Sequence, residues 1–299
     1  VQNNKNIPEA REPKFPSLGG AGGGLSFSPS LGGGRGEALR GGFVELHIQD
    51  SLARINLNRP ERHNAIVPEM LVELNEALDE IAGSEELLFV VLSGNGQSFC
   101  AGADLHWFSG AEERTLEQNA AQYKQFADLL FRLYQLPQIT IAAVRGNVFG
   151  GGIGLMSVCD FVLAESNSRF MFSEVKLGLL PATILPFVAR RLSVQNLRKW
   201  ILTGNPFTAA DAHQAGLVDR LADNDQLESS LYEFMASFEA VSPSAAKKAK
   251  QMINHVVTGN INIADTEVTS TILAEALLSP DGKEGVRAFQ EKRKPIWKK

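Results

Sequence analysis

Apolar and polar residues alternate along Phe43–Ile48 and again along Ala53–Leu57, with only Gln49, Asp50, Ser51 and Leu52 between the two segments. A period of two marks a strand with one face in the core, so the pair reads as a hairpin. From Pro68 the period changes. Leu71, Leu74, Leu78 and Ile81 recur at spacings of three and four, the signature of one helical face. Leu87–Leu92 is an unbroken apolar run, as a buried strand should be. The spacing then predicts a helix over Leu116–Gln135, with Ala120, Tyr123, Ala127, Leu130, Leu133 and Tyr134 turned inward. Thr140–Val144 reads as the next strand, followed by a glycine-rich turn, a short apolar helix from about Gly151 and a strand at Phe161–Ala164. Strands that alternate with helices define an α/β protein.

Beyond Leu180 the pattern is mostly helical, with one short strand expected at Leu217–Leu221. Thr208 with Asp211 three residues later forms a capping-box start, and Gly216 stops that helix. Ser242 and Pro243 open a further helix, Ile263–Ser279 forms another, and Asp281 is read as the cap of a last one that ends before Pro295. The predicted organisation is a core over residues 43–241 and a helical C-terminal region over 242–299, without internal repeats.

Residues 1–42 differ in kind. They hold 11 of the 27 glycines, in clusters at Gly19–Gly24 and Gly32–Gly36, with Pro8, Pro13, Pro16 and Pro29 among them. Their isolated apolar residues cannot offset the entropy of ordering, so a disordered Gly/Pro-rich extension is expected. Glu9, Glu12 and Glu37 are atypical of a mitochondrial transit peptide, and the absence of an initiator Met suggests a processed or cut chain. Elsewhere, 44% apolar residues suffice for a sizeable core in a chain of 299. A formal charge of −5 lacks the basic excess of a nucleic-acid binder. Two cysteines, Cys100 and Cys159, cannot build a disulfide framework, and a reducing compartment follows. The longest apolar runs fall well short of the roughly 20 residues a membrane span needs.

Three segments carry candidate chemistry. Ser98–Asp104 (SFCAGAD) and Ala142–Leu155 (AAVRGNVFGGGIGL) each follow a buried strand and are rich in small residues, which let backbone amides approach a ligand. In the second, glycines open a helix whose first N–H groups have no partner, an arrangement suited to a developing negative oxygen. A tight turn packed for steric reasons is the alternative for either. In the third, Phe170–Pro181, Glu174 sits among Phe170, Phe172, Val175 and Leu177. Apolar surroundings raise a carboxyl pKa towards neutrality and suit proton transfer, whereas a strand-end glutamate facing solvent would do nothing. His47, His213 and His255 read as surface residues, His63 follows a charged loop, and His106 is a candidate pocket residue. No histidine or cysteine pair has zinc-ligand spacing, no Gly-x-Gly-x-x-Gly dinucleotide fingerprint occurs, and no Gly-x-Ser-x-Gly elbow is present.

With Leu57–Ala65 (LNRPERHNA), Phe99–Asp104 (FCAGAD), Gly150–Gly152, Cys159 with Asp160, and Phe289–Pro295 (FQEKRKP) in this order, the chain from about Phe43 onward resembles the enoyl-CoA hydratase/isomerase, or crotonase, family. That resemblance implies a spiral of ββα units, a C-terminal helical trimerisation region, and a homotrimer or dimer of trimers. It implies a coenzyme A thioester as substrate and no separate cofactor. By motif position the backbone N–H groups of Ala103 and Gly151 would hold the thioester oxygen, and Arg62, Ala65, Ala101, Asp104 and Lys292, the last in the terminal helix, would meet the coenzyme A moiety. Family hydratases carry two glutamates. The second corresponds to Glu174; the first falls on Gly154 and is missing.

Ala103–Trp107 and Ser173–Phe187 resemble the methylglutaconyl-CoA hydratase-like branch. The expected activity is reversible addition of water to a 2-enoyl-CoA, with a branched or carboxylated acyl chain admitted by space vacated at Gly154. A Δ3–Δ2 enoyl-CoA isomerase with Glu174 as sole base, or a non-catalytic acyl-CoA-binding paralogue, are the alternatives. The expected compartment is the cytoplasm, or the mitochondrial matrix in a eukaryote. Because residues 1–42 offer no periodic apolar face, their deletion is expected to leave melting temperature and turnover unchanged; a fall in either on thermal denaturation or assay would place the segment on the core.

Overall fold

The computed structural model describes residues 42–256 and 263–298, so the expectation for residues 1–42 falls, Gly42 apart, outside the described residues. The chain order is β1 (Val44–Gln49), β2 (Leu52–Leu57), α1 (Pro68–Ala82), β3 (Phe89–Gly94), α2 (Leu116–Gln135), β4 (Ile139–Val144), β5 (Asn147–Phe149), α3 (Gly151–Ser157), β6 (Phe161–Glu165) and β7 (Arg169–Met171). It continues with α4 (Leu185–Val188), α5 (Val194–Ile201), β8 (Phe207–Thr208), α6 (Ala209–Gln214), β9 (Arg220–Ala222), α7 (Leu227–Ala236), α8 (Pro243–Val256), α9 (Ile263–Leu278) and α10 (Pro280–Gln290).

The alternating segments pair as the antiparallel hairpin β1–β2, turning at Asp50 and Ser51. Asp50 adopts φ 51, a conformation that a short polar side chain tolerates. Beyond the hairpin, β2, β3, β4, β6 and β9 lie side by side in parallel. Each parallel step needs a crossover, and α1, α2 and α3 supply the first three. A second, three-stranded sheet has the order β5-β7-β8. Repeated strand–helix steps give the spiral that the family resemblance implied.

All six residues of β4 are buried. Ala142 and Val144 face the large core shared with α1, α2 and α3, whereas Ile139, Ile141 and Ala143 face a second core with Leu227, Leu231 and Met235 of α7. A strand covered on both faces has no polar side, which explains the unbroken apolar runs.

Several elements differ from expectation. In α2 the inward face is Phe126, Leu129, Leu130 and Leu133, while Ala120 is exposed. The first turns of this helix run past the core, held by a capping box between Thr115 and Gln118. The expected strand at Leu217–Leu221 is β9, later and shorter, because Leu217 and Val218 are buried in the link that precedes it. Strands β5, β7 and β8, of two or three residues, are too short to show a period. Ser279, not Asp281, caps α10 by accepting from the Gly282 N–H. Asp281 instead accepts from the Ser242 and Ser244 hydroxyls at 2.6 and 2.7 Å, tying the start of α8 to the start of α10.

One ion pair anchors α8 to the main sheet. Lys250, 7% exposed, places Nζ 2.7 Å from Asp160 Oδ2 and donates to the Gln138 carbonyl at 2.6 Å. The same Asp160 oxygen accepts from the Thr140 N–H and hydroxyl, so β4, the start of β6 and α8 meet at one carboxylate. Lys250→Ala removes the cation and leaves that carboxylate in place; we expect a loss of about 3 kcal/mol in unfolding free energy, measured as a lower urea midpoint at constant m-value.

Candidate active site

Two glycine turns form the centre of the site, and backbone ladders hold them together. The loop after β3 is stitched to the start of β5: Phe99 N–H donates to the Arg145 carbonyl, Cys100 N–H to Asn147, and Phe149 N–H returns to the Cys100 carbonyl, at 2.8, 3.3 and 3.0 Å. Gly102 adopts φ 92, and a Cβ there would stand 2.9 Å from the Phe149 carbonyl oxygen and 3.6 Å from Gly151 N. Only glycine allows both the dihedral and the approach. The turns therefore adjoin, with Ala103 following one and Gly151 opening α3 in the other. Among the described residues neither the Ala103 nor the Gly151 N–H donates to a backbone carbonyl.

The first loop is braced from its other side by the segment after β2. Ala101 N–H donates to the His63 carbonyl, Ile66 N–H to Gly102, and Asp104 N–H to Ile66. Asn64, fully buried, accepts from the Arg59 N–H and donates to the Asn95 and Ser98 carbonyls. Arg59 Nη1 meets Asp104 Oδ2 at 2.7 Å, and this guanidinium, with the His106 N–H, holds the Asp104 carboxyl well below the usual carboxylate range. Arg62, Ala65, Ala101 and Asp104 are thereby gathered beside the first glycine turn, although the Asp104 carboxylate is engaged by Arg59 and His106. The His106 side chain, a candidate pocket residue by sequence, is 90% exposed and its Nδ1 lies 3.0 Å from Asp104 Oδ1. The Cys100 thiol, fully buried, is pushed up to about 12 by desolvation and is not a nucleophile.

Glu174 arrives from a third direction. Gly150 N–H donates to the Met171 carbonyl, which aligns the end of β7 with the second glycine turn. Phe172 packs inward against Phe207, and the chain then enters a 3₁₀ turn, Glu174–Leu177. The Glu174 carboxyl lies over Gly150: a Cβ there would be 3.0 Å from Oε1 and 3.7 Å from Oε2. Oε2 is buried with no hydrogen-bond partner. Burial raises the Glu174 pKa above its ordinary value, which a backbone hydrogen bond offsets only in part. A carboxyl group short of partners beside two donor-ready amides can move a proton at a carbon whose neighbouring carbonyl the amides polarise.

The expected vacancy at Gly154 is not there. A Cβ on Gly154 would overlap Ile184 Cγ2 and would lie 2.9 Å from Ile184 Cβ. Ile184, 1% exposed, occupies the volume that a glutamate side chain would need. The missing acid is thus replaced by hydrocarbon, and no space is released to the acyl chain at this point. Lys292 also differs from its expected place. α10 ends at Gln290, and Lys292 lies beyond it at φ 54, with its N–H donating to the Phe289 carbonyl. No hydrogen bond or ion pair among the described residues joins it to Arg62, Ala65, Ala101 or Asp104. Sequence reasoning missed Ile184, Arg59 and Asn64. The last two stand inside the Leu57–Ala65 motif and could have been singled out there; nothing local marks Ile184.

Residues 47–299 match the family model described as Enoyl-CoA hydratase/isomerase. Enoyl-CoA hydratase AKT6-1 of Alternaria alternata is 31% identical over 262 residues, 86% of this chain and 84% of that protein. Among solved structures, Pseudomonas aeruginosa AtuE superposes with a TM-score of 0.81 at 33% identity, covering 86% of this chain and all of that one (100%). An enoyl-CoA hydratase from Shewanella pealeana gives 0.80 at 32%, covering 86% and 96%. The chain belongs to the enoyl-CoA hydratase/isomerase family and has the crotonase fold.

The contact between Gly154 and Ile184 is testable without substrate. Gly154→Ala is expected to cost about 1–3 kcal/mol by overpacking. Added to Ile184→Ala, the same change should cost much less, so the double-mutant cycle should be strongly non-additive. Additive denaturation midpoints would show that the two side chains do not compete for space.

Proposed function

We propose that the chain is a coenzyme A thioester hydratase, adding water reversibly to a 2-enoyl chain that is branched or carboxylated, of the methylglutaconyl type. The observation that carries this reading is the Glu174 carboxyl, buried over Gly150 beside the two amide-bearing turns. The N–H groups of Ala103 and Gly151 hold the thioester oxygen as negative charge develops on it. Neutral Glu174 gives its proton to the α-carbon, while its other oxygen takes a proton from the water that adds at the β-carbon. The carboxyl is regenerated, and one side chain serves both ends of the double bond. Its raised pKa favours the protonated form this step needs.

A second reading is favoured by Ile184. With hydrocarbon where a second acid would stand, Glu174 as carboxylate would shift a proton along the chain, and the enzyme would be a Δ3–Δ2 enoyl-CoA isomerase. The two readings have opposite pH dependence. Hydration through the neutral carboxyl is lost as pH rises through the Glu174 pKa. Isomerisation through the carboxylate is lost as pH falls through it. In either case that pKa lies above the ordinary glutamate value of about 4.3. We expect kcat/KM for hydration to decline on the alkaline side and Glu174→Gln to lower turnover at least ~10²-fold. A product assay on a panel of enoyl-CoAs decides the reaction: only migrated double bonds would establish the isomerase, and a Glu174→Gln enzyme near wild-type activity would remove Glu174 from both. Thioester binding without α-proton exchange would leave a non-catalytic acyl-CoA-binding paralogue.

The same reading takes the chain as a homotrimer or dimer of trimers. Leu273, Leu277, Leu278 and Phe289 stand exposed on α9 and α10, Phe289 at 86%, and grouped apolar exposure of this kind supports self-association. Lys292 would then reach the nucleotide of a neighbouring subunit's coenzyme A. Lys292→Ala should raise KM at constant kcat, as loss of uniform binding does; an unchanged KM assigns Lys292 to solvent. Among the described residues no helix is long and apolar enough to cross a membrane, and we assign the protein to the cytoplasm, or to the matrix of a mitochondrion.

A further inference from the structure

The two amide-bearing turns share a neighbour, Ile66. It is fully buried and pairs with Ala103 in a parallel β-bridge. Its N–H donates to the Gly102 carbonyl at 2.8 Å, and its carbonyl accepts from the Asp104 N–H at 2.9 Å. The Gly102 carbonyl and the Ala103 N–H belong to one peptide unit, which is planar and trans, so they point in opposite directions. Holding the first therefore aims the second, and the Ala103 N–H is turned away from the Ile66 backbone. Ile66 is itself kept in register through its neighbour: the Ala65 carbonyl accepts from Arg59 Nη1 at 3.2 Å, and the same nitrogen meets Asp104 Oδ2 at 2.7 Å.

The side chain of the same residue reaches the second turn. Ile66 Cδ1 lies 3.0 Å from where a Cβ on Gly151 would be, with Phe126 ring atoms beside it at 3.4 Å. Gly151 is buried, and the Gly150 carbonyl, in the same peptide unit as the Gly151 N–H, accepts from the Ile153 N–H at 2.9 Å and the Gly154 N–H at 3.4 Å. By the same planarity the Gly151 N–H is aimed out of the first turn of α3. Each N–H direction is thus set by its own peptide unit. The distance between the two is set across the gap, and Ile66 touches both sides of it. A β-branched side chain is stiff at χ1, so in a packed interior it makes a spacer of well-defined length.

We infer that Ile66 is a positioning residue that sets the spacing of the Ala103 and Gly151 amides, its backbone orienting one and its side chain bearing on the other. The inference rests on the proposed thioester site, in which these two amides hold the carbonyl oxygen. Ile66 is buried and acts through the two turns, not on the acyl chain. Two donors stabilise charge on one oxygen only while both stand within about 2.7–3.1 Å of it. A change in spacing therefore weakens polarisation of the carbonyl before it weakens binding of the coenzyme A moiety.

The experiment reads that polarisation on the full chain. Butyryl-CoA, isotopically labelled at its thioester carbonyl, is saturated and can be neither hydrated nor isomerised, and its infrared carbonyl band falls in frequency when donors bind the oxygen. Ile66→Val deletes only Cδ1 and keeps the branch and both backbone bonds. We expect wild-type protein to lower the band and Ile66→Val to lower it less, with kcat on the enoyl substrate reduced about tenfold, part of what loss of a whole donor costs. The Kd for butyryl-CoA should change by less than about threefold, because the contacts to coenzyme A are uniform ones. Gly151→Ala sets a methyl against Ile66 Cδ1 and should also weaken the downshift. In the Ile66→Val/Gly151→Ala double variant that methyl meets the vacated place, and the band should return towards its wild-type position, a recovery that a general loss of stability would not produce. Melting temperatures check folding, and Ile66→Val carries the test if Gly151→Ala does not fold. A downshift and turnover in folded Ile66→Val equal to wild type, or a folded double variant shifted no more than either single one, would overturn the role of Ile66 and leave the thioester site standing. A band that saturating wild-type protein does not move would overturn the thioester site and the role of Ile66 with it. Full turnover in Glu174→Gln, with the Ile66 effects intact, would overturn only the proposed acid chemistry.

Discussion

A Cβ at residue 102 would stand 2.9 Å from the carbonyl oxygen of Phe149, and the rest of the site depends on its absence. That approach brings the loop after β3 against the strand after β4, so that Ala103 and Gly151 follow adjoining turns. Neither turn is held by its own side chains. The register comes from ladders of backbone hydrogen bonds, and behind the first turn the buried amide of Asn64 joins Arg59, Asn95 and Ser98. Main-chain geometry is thus fixed from two sides before any substrate arrives, the condition under which amides stabilise charge without reorganising.

The charged groups are arranged by contrast. Asp104 and Asp160 each have a cation and several donors around their carboxylates. Glu174, half-buried, has one buried oxygen without a hydrogen-bond partner. Pairing engages the first two in the scaffold, and at Asp104 it holds the carboxyl well below the usual carboxylate range. Burial raises the pKa of the third, and among the described residues no ion pair offsets it. The α/β scaffold supplies identical chemical groups to three places, and their hydrogen-bond partners determine which is available for reaction.

Much of the fold was legible because its elements are long and periodic. The hairpin, α1 and the extent of α2 follow from spacing alone, and the apolar runs of β3 and β4 reflect coverage on both faces. The inner face of α2 was misjudged because periodicity gives a stripe and not the point at which the core begins; Phe126 and Leu129 are inside, Ala120 is not. Strands β5, β7 and β8 exist through their partners and leave no period. The glycine turns and Glu174 were visible as residue types in an unusual setting. Their relation to Arg59 and Ile184 was not, since those contacts join residues separated by 30 or more positions, and complementarity of volume or charge across space has no local signature.

The packing of Ile184 into the place beside Gly154 also has a historical consequence. An acid cannot enter position 154 while Ile184 stands there, and shortening Ile184 first would open a hole in the core with no compensating gain. Each single step is disfavoured, so the two positions can change only as a pair. Position 154 is thereby held to glycine by steric epistasis, and a larger residue can enter it only in company with a smaller one at position 184.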